Sequence, residues 1–303
     1  MSDLPGVSLH GKAAMSRARA PRLRHRAIVV AAALAMAVAA ACAPPVPVEQ
    51  RIALFGDSLI DQSASTLLRR AATDLPGHQL DLHYFPGTAQ CDWTAAMEDV
   101  ARQGVGTVVL AFAGNMFTAC ARGGDAYARY RADAEWAVEF WRARGVRLVF
   151  VAAPGMVGAT ADDRPAPRAY LDVAAATGTP VIDLGPRFVD PVSNTYTERL
   201  ACLPTEGPGQ GCSAGTIQVR TGWDGLVQDR IHFCLRACTV YSSGVVRYAT
   251  GIVDGLRDVL TPVTTTTVPS SSTSTSTTSS STTSTSTTSS STTSTSTPAP
   301  GAG

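Results

Sequence analysis

The chain has 303 residues, of which 45% are hydrophobic and 16% charged, with a formal net charge of +1. The first 42 residues hold six of the 25 basic and one of the 24 acidic residues, leaving 19 against 23, or −4, for the remainder. No basic patch survives to recruit nucleic acid, and no such partner is expected.

The elements begin with a leader at 1–42. Lys12, Arg17, Arg19, Arg22, Arg24 and Arg26 precede an uncharged run over 27–41, too short to span a bilayer comfortably. A basic stretch, an apolar stretch and then small residues read as a secretory signal, and Met15 would give it an n-region of ordinary length. Ala39-Ala40-Ala41-Cys42 resembles a bacterial lipobox, which would make Cys42 a lipidated first residue. Ordinary cleavage near Ala39 or Ala41 is the equal alternative. Either predicts an exported protein, extracellular or at the cell surface.

A short linker at 43–50 leads into the folded region, 51–260. Near-continuous apolar runs at 51–55, 79–85, 107–113, 147–153 and 180–183 predict strands covered on both faces. Helices are predicted at 59–73, with Leu67, Leu68 and Ala71 inward, and at 93–102. A third, at 125–144, places Tyr127, Tyr130, Ala134, Val138 and Trp141 on one stripe. Two more follow at 167–177 and 242–260. Strand alternating with helix implies an α/β fold, a three-layer α/β/α sandwich around a parallel sheet of about five strands. About 210 residues suit one such domain. From 261 to 303 the chain is nearly pure Ser and Thr and should be disordered. It suits an O-glycosylated stalk, a cell-wall extension or a plain solubilising tail.

Ligands in open parallel sheets bind beyond the carboxyl ends of the strands. Ser58, in Gly56-Asp57-Ser58-Leu59, leaves the first strand; Gly87 and Asn115 follow the second and third. Asp229-Arg230-Ile231-His232 lies in the long segment before the last helix, free to fold over the same edge. Taken alone, each piece also fits a turn, a strand-end cap or a surface pair. Together they suggest a serine nucleophile (Ser58), a histidine base (His232) and an acid (Asp229) that orients the imidazole. The Ser58 and Gly87 N–H groups and the Asn115 amide would be donors to a developing oxyanion. His83, entering the second strand, reads as a core or edge residue.

Apart from Cys42 the cysteines are Cys91, Cys120, Cys202, Cys212, Cys234 and Cys238. An even number in an exported chain suggests disulfides, with fifteen pairings open. With no C-x-x-C, and only His78, His83 and His232 beyond the leader, no metal site is expected.

The four pieces resemble the SGNH (GDSL-type) hydrolases, named for Ser, Gly, Asn and His in four blocks. Block one is Gly56-Asp57-Ser58-Leu59, block two is carried by Gly87, block three by Asn115, and the last is Asp229-x-x-His232. The resemblance spans most of 51–250 and is nearest to exported actinobacterial members, through Gly87-Thr88-Ala89-Gln90-Cys91-Asp92-Trp93 and Gly114-Asn115-Met116-Phe117-Thr118-Ala119-Cys120. Block three departs from the usual Gly-x-Asn-Asp, because Gly114 directly precedes Asn115 and Met116 replaces the aspartate. The family implies a flavodoxin-like sandwich and esterase, lipase, thioesterase or carbohydrate deacetylase chemistry. It also implies no cofactor and a small-molecule or glycan-borne ester as substrate. No G-x-S-x-G surrounds Ser58, which disfavours the α/β-hydrolase fold.

Cys91 and Cys120 each follow a block by a few residues, and a bond between them would brace both loops. Cys202 with Cys212 and Cys234 with Cys238 are the simplest local completions. The expected protein is a monomeric exported ester hydrolase, associated with the cell wall or a membrane surface if the leader or tail attaches it. The alternatives are an O-acyltransferase of cell-envelope glycan built on the same triad, and a non-catalytic surface binding protein with a decayed site.

Overall fold

Every residue of β1 (Arg51–Gly56) after Arg51 is buried, and its side chains alternate between two layers. Ile52 and Leu54 join the hydrophobic cluster on one face of the sheet, Ala53 and Phe55 the cluster on the other. The computed structural model that shows this describes residues 45–222, 230–234, 238 and 240–261. The leader, Cys42, Asp229 and the tail beyond 261 lie outside the described residues.

β1 sits between β2 (Gln79–Tyr84) and β3 (Thr107–Ala111), with β4 (Arg147–Ala152) and β5 (Val181–Asp183) continuing the sheet. The order is β2-β1-β3-β4-β5 and all pairings are parallel, with Ile52 facing Leu80 on one side and Thr107 on the other. Helices α1 (Ser58–Asp74) and α5 (Ser243–Leu260) cover one face. The other is covered by α2 (Thr94–Gln103), α3 (Ala126–Arg142) and α4 (Pro165–Thr177). This is the three-layer α/β/α sandwich expected, with each main element within two residues of its predicted ends. The chain leaves β1 toward β2 on one side and returns to β3 on the other. The topological switch point, where such sheets open a crevice, therefore lies between the ends of β1 and β3.

Two details differ from expectation. Leu68 is exposed (46%), while Leu67 and Ala71 are buried. The inward line of α1 runs through Ile60, Ser63, Ala64, Leu67 and Ala71, and one residue further is a rotation of about 100° toward solvent. Between β5 and α5 the chain also forms two small antiparallel ladders, β6 (Val189–Asp190) with β7 (Thr195–Tyr196) and β8 (Arg199–Ala201) with β9 (Thr216–Gln218). Strands of two or three residues are too short to leave a period-two pattern.

Cys91 is bonded to Cys120, Cys202 to Cys212 and Cys234 to Cys238, with Cα separations of 6.1, 6.0 and 5.3 Å. Of the potential metal-ligating groups among the described residues, only Cys91, Asp92 and Cys120 cluster, and both sulfurs belong to a disulfide. No described helix is long and apolar enough to cross a membrane.

Both ends of the domain meet the same pole. A short turn at Val48–Gln50 feeds β1 at the sheet's entry edge. At that edge Arg147, the first residue of β4, donates to the carbonyl of Val259 near the end of α5 (3.1 Å). Ser58 lies at the opposite edge.

Candidate active site

Ser58 is the first residue of α1, directly beyond β1, and is largely buried (7% exposed). The strand passes into the helix this tightly because residue 56 is glycine: a Cβ there would meet the Ile60 side chain at 2.2 Å and the Ala111 carbonyl at 3.0 Å. Asp57 caps the helix, its carboxylate accepting from the Leu59 N–H at 3.0 Å. At the helix N-terminus Ser58 lies where the backbone dipole favours negative charge.

His232 completes the pair. Its Nε2 lies 2.7 Å from the Ser58 Oγ, across 174 positions of sequence. The neighbouring peptides are fastened on every side. The Arg230 carbonyl accepts from Val157 N–H (3.0 Å), and that of His232 from Thr221 and Gly222 (3.1 and 3.2 Å). The buried Arg220 guanidinium bonds the Ile231 carbonyl and lies over the rings of Phe188 and Phe233, 4.8 and 4.6 Å from their centroids. On the far side of the histidine, Gln62 reaches from α1: its Oε1 accepts from Phe233 N–H at 2.9 Å and its Nε2 donates to the Cys234 carbonyl at 2.8 Å. One turn along α1 from Ser58, Asp61 has its carboxyl pKa raised by partial burial and lowered in part by the charge of His232.

Gly87 and Asn115 are tied to this pair through Asp57. The second carboxylate oxygen of Asp57 accepts from Ala113 N–H (2.7 Å) and from the Asn115 amide (3.1 Å). The same amide nitrogen donates to the carbonyl of Thr88 (3.0 Å), next to Gly87. The Tyr130 hydroxyl donates to the Asn115 carbonyl (3.1 Å). Asn115 is therefore anchored without the usual aspartate after it, and Met116 packs on the neighbouring hydrophobic cluster instead. Both amide protons of Asn115 are engaged. By contrast, neither the Ser58 nor the Gly87 N–H has an acceptor among the described residues. Gly87 has φ +80°, a left-handed turn that favours glycine. Desolvation of the buried Asp57 carboxyl, opposed by its backbone hydrogen bonds, leaves its pKa at about 6.

Of the residues singled out in the sequence, the structure brings Ser58 and His232 into contact and joins Gly87 and Asn115 to the same edge. Asp229 lies outside the described residues. His83 stacks on Phe55 in the sheet (centroids 4.6 Å apart) and takes no part in the site. Gln62, Arg220 and the bridging role of Asp57 have no sequence signature beyond the N-cap position of Asp57.

The fold and site together define an α/β/α sandwich with a serine–histidine pair at its topological switch edge. No protein-family model and no curated protein sequence matches the chain. Among solved structures, a GDSL-like lipase from Bacteroides thetaiotaomicron is similar at 13% identity and a TM-score of 0.43, over 75% of this chain and 96% of that one. An acetylxylan esterase from Geobacillus stearothermophilus is similar at 13% and 0.46, over 70% and 95%. A putative acylhydrolase from Bacteroides fragilis is similar at 15% and 0.45, over 72% and 92%. Likenesses this distant carry no inference about chemistry, which rests on the geometry of the chain itself.

Proposed function

We propose that the protein is an exported SGNH-type serine hydrolase that cleaves carboxylic esters, borne on small molecules or on glycans, through Ser58, His232 and Asp229. The observation that carries this reading is the 2.7 Å approach of His232 Nε2 to Ser58 Oγ at the mouth of a helix. A serine hydroxyl needs a base to become nucleophilic, and neutral imidazole at this distance is within reach to serve.

In the proposed reaction His232 takes the Ser58 proton as Oγ attacks the ester carbonyl. The carbonyl oxygen becomes an oxyanion facing the unengaged N–H groups of Ser58 and Gly87. Asn115 joins as third donor by giving up its bond to the Thr88 carbonyl. Collapse breaks the C–O bond to the alcohol, which leaves with the proton held by His232. Water, deprotonated by the same histidine, then attacks the acyl-serine, releasing the acid and restoring Ser58. Asp229 holds the imidazole and stabilises its charged form. No step calls for a cofactor, and a single chain carries the whole proposed set. The three disulfides fit an oxidising compartment outside the cytoplasm.

The test is hydrolysis of short-chain nitrophenyl esters by the oxidised full chain beside Ser58→Ala. The substitution is expected to abolish turnover, and a fluorophosphonate is expected to label Ser58 alone. Equal activity in the two proteins would overturn the proposal.

A further inference from the structure

Ser58 and His232 come from opposite ends of the domain, so their contact depends on whatever fixes the segment of His232 against α1. Gln62 stands one helical turn beyond Ser58 and therefore projects from the same face. It is buried (6% exposed), and its amide is spent on the backbone that follows the histidine, through Phe233 N–H and the Cys234 carbonyl. One side chain thus holds two successive residues after the histidine, accepting from the first and donating to the second. The remaining carbonyls of the segment are held by Val157, Arg220, Thr221 and Gly222. Among the described residues, Gln62 is the side chain of α1 that bonds the backbone of this segment, beside the contact of Ser58 with the imidazole itself.

We infer that Gln62 is a positioning residue that holds His232 in register with Ser58. This rests on the proposed hydrolase reading of the same site. An amide is the side chain that suits the position: it must accept from one N–H and donate to one carbonyl at once. Glutamate keeps the acceptor but turns a negative oxygen toward the Cys234 carbonyl, with the imidazole close by. Methionine keeps the length and apolar volume and removes both bonds.

The experiment compares the oxidised full chain with Gln62→Met and Gln62→Glu by ester kinetics over pH and by NMR of isotope-labelled histidine. In Gln62→Met, kcat is expected to fall about 100-fold with KM little changed, the scale of a displacement of about 1 Å at a reacting group. The His232 ring resonances should then move away from those of the parent. In Gln62→Glu the acid limb of the pH–rate profile should move to higher pH, because the added carboxylate favours the protonated ring. Unchanged kcat in Gln62→Met, or His232 resonances that superimpose on those of the parent, would overturn the inference. So would a loss in which kcat, KM and melting temperature decline together while the acid limb of Gln62→Glu stays in place. If Gln62→Met does not fold, Gln62→Glu decides by the same readouts. Should the parent neither hydrolyse esters nor react with fluorophosphonate, the hydrolase reading falls, while the histidine resonances still report on Gln62.

Discussion

Asp57 is fully buried and its carboxylate meets the N–H groups of Leu59 and Ala113 and the amide of Asn115. Its folded pKa of about 6, against an ordinary 3.8, means that the folded chain binds this proton more tightly than the unfolded chain does. The associated stability is present below pH 3.8 and is lost as pH rises through about 6, a total change of about 3 kcal/mol. In Asp57→Asn this dependence disappears. The stability gap between parent and variant, measured by denaturant titration, should therefore narrow by about 2 kcal/mol between pH 4 and pH 6. A gap independent of pH would contradict this assignment. Ser58 and His232 were legible in the sequence because a nucleophile and a base are scarce residue types in telling places, one after a strand and one beside an acid. Gln62 was not legible. A glutamine on a helix has no pattern to betray it, and its partners lie 171 and 172 positions away.

At the scale of elements, the passage from β1 to α1 depends on absence of a side chain at Gly56. Gly56→Ala forces a methyl group onto Ile60 and the end of β3. It should cost about 1–3 kcal/mol by overpacking and displace Ser58, read as lower stability together with a lower rate of fluorophosphonate labelling. Normal stability with normal labelling would count against this account of the junction. The disulfide between Cys91 and Cys120 closes a separation of 29 residues. Replacing both cysteines by alanine should cost about 3–4 kcal/mol by the loss of loop closure, measurable by urea titration. The five main strands and five long helices could be read in advance because burial on both faces leaves apolar runs and burial on one face leaves a stripe. Leu68 shows the limit of that reading, since an apolar residue beside a stripe need not belong to it. The ladders of β6 to β9 had no period long enough to see, although Cys202 and Cys212 flank the turn of one of them.

For the whole molecule, among the described residues, the buried members of the hydrophobic clusters on both faces of the sheet lie between Ile52 and Leu256, with Val259 and Leu260 packed against one of them. Deleting residues 262–303 should leave ester turnover and melting temperature unchanged, and a fall in either would show that the tail serves the domain. The two junctions described above fix one more property. β1 is entered and α5 is left at the sheet's entry pole, while Ser58, Gly87, Asn115 and His232 gather at the other. A bond to lipid, wall polymer or sugar made through either flank would therefore meet the domain at the pole away from Ser58 and leave the edge that holds the serine clear of the attachment.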